Sequence, residues 1–197
     1  MIIPVTEETE RIERYETGIK LSYPAILFQA HLQGLELFAG KKVLEIGGVR
    51  NPNMTLVNYF MNMGAEYHTV GLEDNKANYP YVLSVRDFRD IRDELYDVII
   101  SMGVFEHSGI DRSKDGNDFR SIYNSHQRDL QKLFALTKEG GINIIGTISD
   151  PCIYTNDEIQ EAGFKLQHRI KQFASLGWES PQARQAYRNS ELLVMMK

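Results

Sequence analysis

Lys41-Lys42-Val43-Leu44-Glu45-Ile46-Gly47-Gly48 holds a short apolar run, residues 43–46, that carries one acid and stops at two glycines. The run reads as a buried strand. A strand that ends at glycine lets backbone approach a ligand closely, because no side chain stands in the way. A helical pattern follows over residues 54–63. A strand, a glycine turn and a helix is how an α/β sheet builds a pocket at the carboxyl end of its strands.

Working outward, the same alternation continues. Further short apolar runs cover residues 67–72, 81–85, 97–101 and 142–147, and helical patterns fit 118–137 and 156–162. The link between the 81–85 and 97–101 runs is short and polar, so its helix is brief or missing. Two late runs, 164–170 and 192–196, bring the expected strands to seven. Strands that alternate with helices predict a mostly parallel sheet covered on both faces, a Rossmann-like three-layer αβα sandwich. Upstream, residues 6–17 read as a charged helix and 23–39 as a more apolar one closed by Gly40. Residues 1–40 are therefore expected to form a helical extension of the same domain, a candidate substrate lid, and residues 41–197 the ligand-binding domain. Residues 171–190 read as a loop with a short helix.

Composition narrows the classes. The 197 residues are 42% hydrophobic and 25% charged, ordinary for a globular domain of this size. No apolar run approaches the roughly 20 residues that span a bilayer. The opening residues lack the basic-then-apolar order of a secretion signal, and Cys152 is the single cysteine, so a cytoplasmic location is expected. One cysteine allows no intrachain disulfide and no cysteine-based zinc site. The net charge of −5 gives no broad basic face for nucleic acid. The small basic groups Lys165, His168, Arg169, Lys171 and Arg184, Arg188 read as solvated faces.

Acids recur at the strand ends. Glu45 lies within the first strand, Glu73 and Asp74 close the second, and Asp87 follows the third, just before Phe88. The carboxyl ends of neighbouring parallel strands open into one crevice, so these carboxylates would converge on one ligand. An ionised carboxylate after the second strand can accept both hydrogens of a ribose diol. One after the third can accept from an exocyclic amine such as that of adenine. Glu45 suits orienting the glycine turn or, through water, a ligand ammonium. Taken singly, each acid could equally be solvated or cap the next helix. The fourth strand brings Ser101, Met102 and Gly103 to the same crevice. Glu106 and His107 follow; His107 is the candidate general base, with helix capping and packing as the plainer roles for this pair. His107, Asp111 and Asp115 are close in sequence, but the segment between them reads as a loop, and no metal site is expected.

Together these stretches resemble the class I S-adenosylmethionine-dependent methyltransferases, from about Lys41 to Lys197. Lys42-Val-Leu-Glu-Ile-Gly-Gly48 resembles the family's first motif, and Thr69-Val-Gly-Leu-Glu73 its second strand with the ribose-binding acid. Val85-Arg-Asp-Phe88 resembles the third-strand motif, in which the acid holds the adenine amine and the next amide faces the ring. Tyr96 through His107 resembles the fourth-strand motif, and Asp129 through Ile142 the helix, turn and fifth strand that follow. Ser190 through Lys197 resembles the family's last strand, which runs antiparallel to the rest. The resemblance implies S-adenosylmethionine as cofactor, held by Glu45, Gly47, Gly48, Glu73, Asp87, Phe88, Ser101 and Met102. Such a cofactor carries its own activation, so a base is needed only where the acceptor must lose a proton, and His107 is placed for that.

The first motif departs from the family at Val49 and Asn51, where glycines are usual. Asn tolerates positive φ, whereas a β-branched residue does not. A nicotinamide fingerprint fits worse, since it would need glycine at Val49 and at Pro52. The expected function is methyl transfer to a small-molecule acceptor, with a hydroxyl of a sugar or another metabolite favoured and nucleic acid and membrane disfavoured. The alternative is a non-catalytic member of the fold, a binding or scaffolding subunit, which Val49 would favour and the three acids oppose.

Overall fold

The computed structural model describes residues 38–47, 64–70, 88–102, 105, 119–147, 154–171 and 190–197, with only the backbone of residues 102 and 119–125. They form strands β1 (Lys42–Ile46), β2 (Glu66–Val70), β3 (Tyr96–Met102), β4 (Thr137–Thr147), β5 (Lys165–Lys171) and β6 (Glu191–Met196). Two helices, α1 (Phe119–Leu136) and α2 (Asn156–Glu161), accompany them. The six described strands make one sheet in the order β2-β1-β3-β4-β6-β5. Pairing is parallel from β2 through β4, and β6 runs antiparallel to both its neighbours. This is the expected Rossmann-like arrangement with its antiparallel last strand. The expected strand at 81–85 lies outside the described residues, as do the helical patterns at 6–17 and 54–63 and all but the end of that at 23–39.

The central strands β1, β3 and β4 and strand β6 are rich in apolar residues because both of their faces are buried. One face presents Leu44, Ile46, Val70, Ile99, Ile145, Leu193 and Met195 to Leu130, Leu133 and Leu136 of α1 and Ile159 of α2. The three α1 leucines recur every three residues and so form one stripe. The opposite face carries Val43, Val98, Ile100, Ile144 and Val194, which are buried too. Thr155 starts α2 with a reciprocal capping box: its hydroxyl accepts from the Glu158 amide, and the Glu158 carboxylate accepts from the Thr155 amide.

One boundary differs from expectation. The strand expected from residue 142 begins at Thr137, directly after α1. Thr137 pairs with Tyr96 and Ile142 with Val98, so β4 advances five residues against two on β3. The Lys138-Glu-Gly-Gly141 stretch holds this excess as a bulge. Gly140 turns it with φ of +71°, and a Cβ on Gly141 would stand 2.8 Å from the Lys138 carbonyl oxygen. Hydrogen bonds between Gly140, Gly141 and Lys197 close the bulge against the end of β6.

Charged groups gather at the amino ends of the strands, away from the glycine turn. Lys42 Nζ contacts Glu94 and lies 3.0 Å from Glu66, while Asp97 accepts from the Lys42 amide and from Lys138 Nζ, each at 2.8 Å. Desolvation pushes the Asp97 carboxyl up, but the Lys138 and Lys42 hydrogen bonds outweigh it and leave it below its ordinary value of 3.8. A carboxyl that titrates lower in the folded state stabilises the fold fully above the unfolded value. That contribution is lost as pH falls through the folded one. Asp97→Asn is therefore expected to cost about 1 kcal/mol near neutral pH and nothing in strong acid, as read from urea midpoints across pH. An equal loss at both ends of the range would contradict this account of the pair.

Candidate functional site

The chain leaves β1 for β2 on one side and returns to β3 on the other. In an open parallel sheet, such a reversal opens a crevice at the carboxyl ends of the two central strands. Ile46 pairs with Ser101 there, and Met102 pairs with Gly146 of β4. Gly47 follows Ile46 with φ of +86°, a conformation that favours glycine. Its amide donates to the Val70 carbonyl at 2.8 Å, which fixes the turn to the end of β2.

Glu45 sits one residue inside the strand, on the face that also carries Val43, Thr69, Tyr67 and Ile100. Tyr67 Oη donates to Glu45 Oε2, and Thr69 Oγ1 donates to the Glu45 carbonyl at 3.3 Å. Burial pushes the Glu45 carboxyl up, and the Tyr67 hydrogen bond draws it part of the way back. At the end of β3, on the α1 face that it shares with Ile46 and Ile145, Ser101 is 1% exposed, and its hydroxyl finds no hydrogen-bond partner among the described residues. A buried hydroxyl left unpaired costs roughly 1–3 kcal/mol, so one at a strand end in a ligand crevice is a group that a ligand can satisfy. The second such atom, Asn143 Oδ1, lies two residues further from the strand ends. The Asn143 amide nitrogen donates to Thr137, whose hydroxyl donates to the Leu133 carbonyl, so this chain ties β4 to α1.

Of the residues singled out in the sequence, the structure places Glu45 and Gly47 at the carboxyl end of β1, and Ser101 and the Met102 backbone at that of the neighbouring β3. Gly48, Glu73, Asp87 and His107 lie outside the described residues, as do Asp111 and Asp115. Phe88 is described. It starts a short 3-10 turn, Phe88–Asp90, with its ring buried edge-on against Phe105 at 5.4 Å between centroids. Phe105 and Tyr154 belong to the core, with rings 6.1 Å apart. Among the described residues no three His, Cys, Asp or Glu side chains are placed to hold a metal ion, and no helix is long and apolar enough to cross a membrane.

The sequence reading missed Tyr67, which touches the acid it had singled out. The signal was available: Tyr67 stands two residues before Thr69, the parallel partner of Glu45, and so shares its face. A second polar group, also missed, borders the core. Arg89 bonds the buried Asp129 of α1, and His126 Nδ1 lies 3.7 Å from Glu158 of α2. Arg169 of β5, expected on a solvated face, is instead largely buried because it joins Glu191 Oε2 and the Tyr154 carbonyl, both at 2.7 Å. Desolvation, then the nearby Asp129 carboxylate, hold the Tyr154 phenol well above its ordinary range. These contacts tie α1 to α2 and β5 to β6.

No protein-family model matches the chain, and no curated protein matches it in sequence. Solved structures match it in fold. A 1,6-didemethyltoxoflavin-N1-methyltransferase from Burkholderia thailandensis, bound to 1,6-didemethyltoxoflavin and S-adenosylhomocysteine, aligns with a TM-score of 0.60 at 13% identity. That alignment covers 100% of this chain and 93% of the other. The magnesium protoporphyrin IX methyltransferase of Synechocystis PCC 6803, with bound S-adenosylmethionine, aligns at 0.58 and 12% identity over 98% of this chain and 85% of its own. An S-adenosylmethionine-dependent methyltransferase from Mesorhizobium loti aligns at 0.56 and 11% identity over 88% and 98%. The chain thus has the class I methyltransferase fold.

Proposed function

We propose that this protein is an S-adenosylmethionine-dependent methyltransferase acting on a small-molecule acceptor. The observation that supports the reading is the switch point of the sheet, where a desolvated carboxylate and a left-handed glycine stand at the carboxyl end of β1, and a buried hydroxyl with no partner among the described residues stands at that of β3 on the other face. These groups fit the cofactor. The Ser101 hydroxyl lacks a partner among the described residues, Gly47 allows close backbone approach, and Glu45 is a pure acceptor for an ammonium. Gly48, Glu73, Asp87, Phe88 and Met102 complete the proposed set, with Glu73 toward the ribose hydroxyls and Asp87 with the Phe88 amide toward the adenine.

When bound, the cofactor supplies a methyl group made electrophilic by the positive sulfur that carries it. The chain's own part is to hold the acceptor in line and exclude water, and proximity alone is worth about 7–11 kcal/mol. His107 is proposed to take the proton of a hydroxyl acceptor, a hydroxyl of a sugar or another metabolite being the favoured class. Residues 1–40 are proposed to cover the acceptor, and the cytoplasm is the proposed location.

Calorimetric titration with S-adenosylmethionine and S-adenosylhomocysteine tests the reading. The expected result is micromolar binding, weakened at least about tenfold in Glu73→Ala and in Asp87→Ala. No heat and no thermal stabilisation at millimolar cofactor would instead support a non-catalytic binding or scaffolding role, and would make Val49→Gly the next variant.

A further inference from the structure

We propose that Tyr67 is a positioning residue of this site, its hydroxyl holding the Glu45 carboxylate ready for the ammonium at the amino-acid end of the ligand. The inference rests on the cofactor reading above and adds a residue to it.

Three contacts from β2 grip the last residues of β1. Tyr67 donates to the Glu45 carboxylate, Thr69 to the Glu45 carbonyl, and the Val70 carbonyl accepts from Gly47. Tyr67 is 4% exposed, so its hydroxyl has little access to water in place of this bond. A carboxylate offers about four lone-pair sites, and the phenol takes one at Oε2, which leaves acceptor capacity for a ligand. A glutamate without such a partner would sample several rotamers and lose that freedom on binding.

The bond also controls charge. Glu45 faces Val43 on its own strand, Tyr67 and Thr69 on β2, and Val98 and Ile100 on β3. Among the described residues, Tyr67 is the one titratable group of that set. Burial favours the neutral acid, and the Tyr67 hydrogen bond opposes it. An ammonium needs the ionised form, so the phenol extends ligand binding toward lower pH.

The test is calorimetric titration of the full chain and of Tyr67→Phe with S-adenosylhomocysteine and with adenosine, from acid to neutral pH. S-adenosylhomocysteine carries the ammonium and adenosine lacks it. Tyr67→Phe is expected to weaken S-adenosylhomocysteine about fivefold to twentyfold. It should also move the acid limb of the affinity profile to higher pH and leave adenosine within about twofold. An unmoved acid limb, or an equal loss for adenosine, overturns the proposal, because either means that the ring only fills space. Should Tyr67→Phe fail to fold, Glu45→Gln serves. It still accepts the phenol's bond, so the acid limb should vanish for S-adenosylhomocysteine while adenosine binding holds, and a surviving limb overturns the proposal. A wild-type chain that binds neither probe at millimolar concentration overturns the cofactor reading, and this inference with it.

Discussion

Arg89→Met is expected to destabilise the fold by about 3–5 kcal/mol. Arg89 directs Nε and Nη2 to Asp129 Oδ1 at 2.8 and 2.6 Å. The two ends of this pair are unequal: the Arg89 side chain is 39% exposed, whereas that of Asp129 is fully buried in α1. Removing the aspartate frees a cation that can turn toward water. Removing the arginine takes a charged partner from a carboxylate that is fully buried beside the Tyr154 phenol. Methionine keeps an apolar stem but removes the guanidinium, whose carbon lies 5.1 Å from the Phe88 ring centroid, so the loss reports mainly the charged head. Urea unfolding reads it as a lower midpoint at unchanged slope. Adding Asp129→Leu should recover much of the loss, because an apolar pair often replaces a buried ion pair at little cost. A single-variant loss below about 1 kcal/mol would mean that Asp129 is compensated from elsewhere.

Gly47→Val is expected to lower affinity for S-adenosylhomocysteine by about a hundredfold or more while the sheet still forms. Gly47 holds φ of +86°, where a β-branched residue is a true outlier and a side chain costs roughly 1–2 kcal/mol. Valine can escape that strain only by rotating the turn, which breaks the amide's bond to the Val70 carbonyl. Whether it stays or rotates, it fills space or displaces backbone where the ligand should approach. Gly47→Ala should fall between, since one methyl adds the strain with little bulk. Calorimetry measures the loss, and a melting curve shows that the fold survives. Binding within about threefold of wild type in Gly47→Val would remove the glycine turn from the site.

What was legible followed from patterns along the chain. Residues 43–46 gave β1 to within one residue, because an apolar run bounded by lysines and glycines has few other readings. The ends of parallel strands converge by construction, so Glu45, Gly47 and Ser101 could be placed near one another before any coordinates. What was not legible depends on pairing across the fold. The early start of β4 follows from a single Thr137–Tyr96 contact, while the local sequence Lys138-Glu-Gly-Gly141 reads as a turn. The Arg89–Asp129 pair spans 40 positions, and neither residue sits in a pattern that names its mate. Tyr67 read simply as a strand residue, because alternation reveals burial but not which polar atom meets which.

The placement of β6 ranks how the sheet comes apart. Among the described strands, β5 is bonded to β6 and to nothing else, whereas β6 is bonded on both sides. Any fluctuation that lifts β6 from β4 must carry β5 with it, while β5 can peel away and leave β6 seated. Amide protons of β5 should therefore exchange with deuterium at least as fast as those of β6, and the β1–β3–β4 centre last. The seam between β4 and β6 thus marks the outer limit of the most slowly opening unit, which contains β1, β3 and the crevice at their ends. The order follows from connectivity, since an edge strand added beyond an antiparallel insert depends on that insert for every one of its ladder bonds.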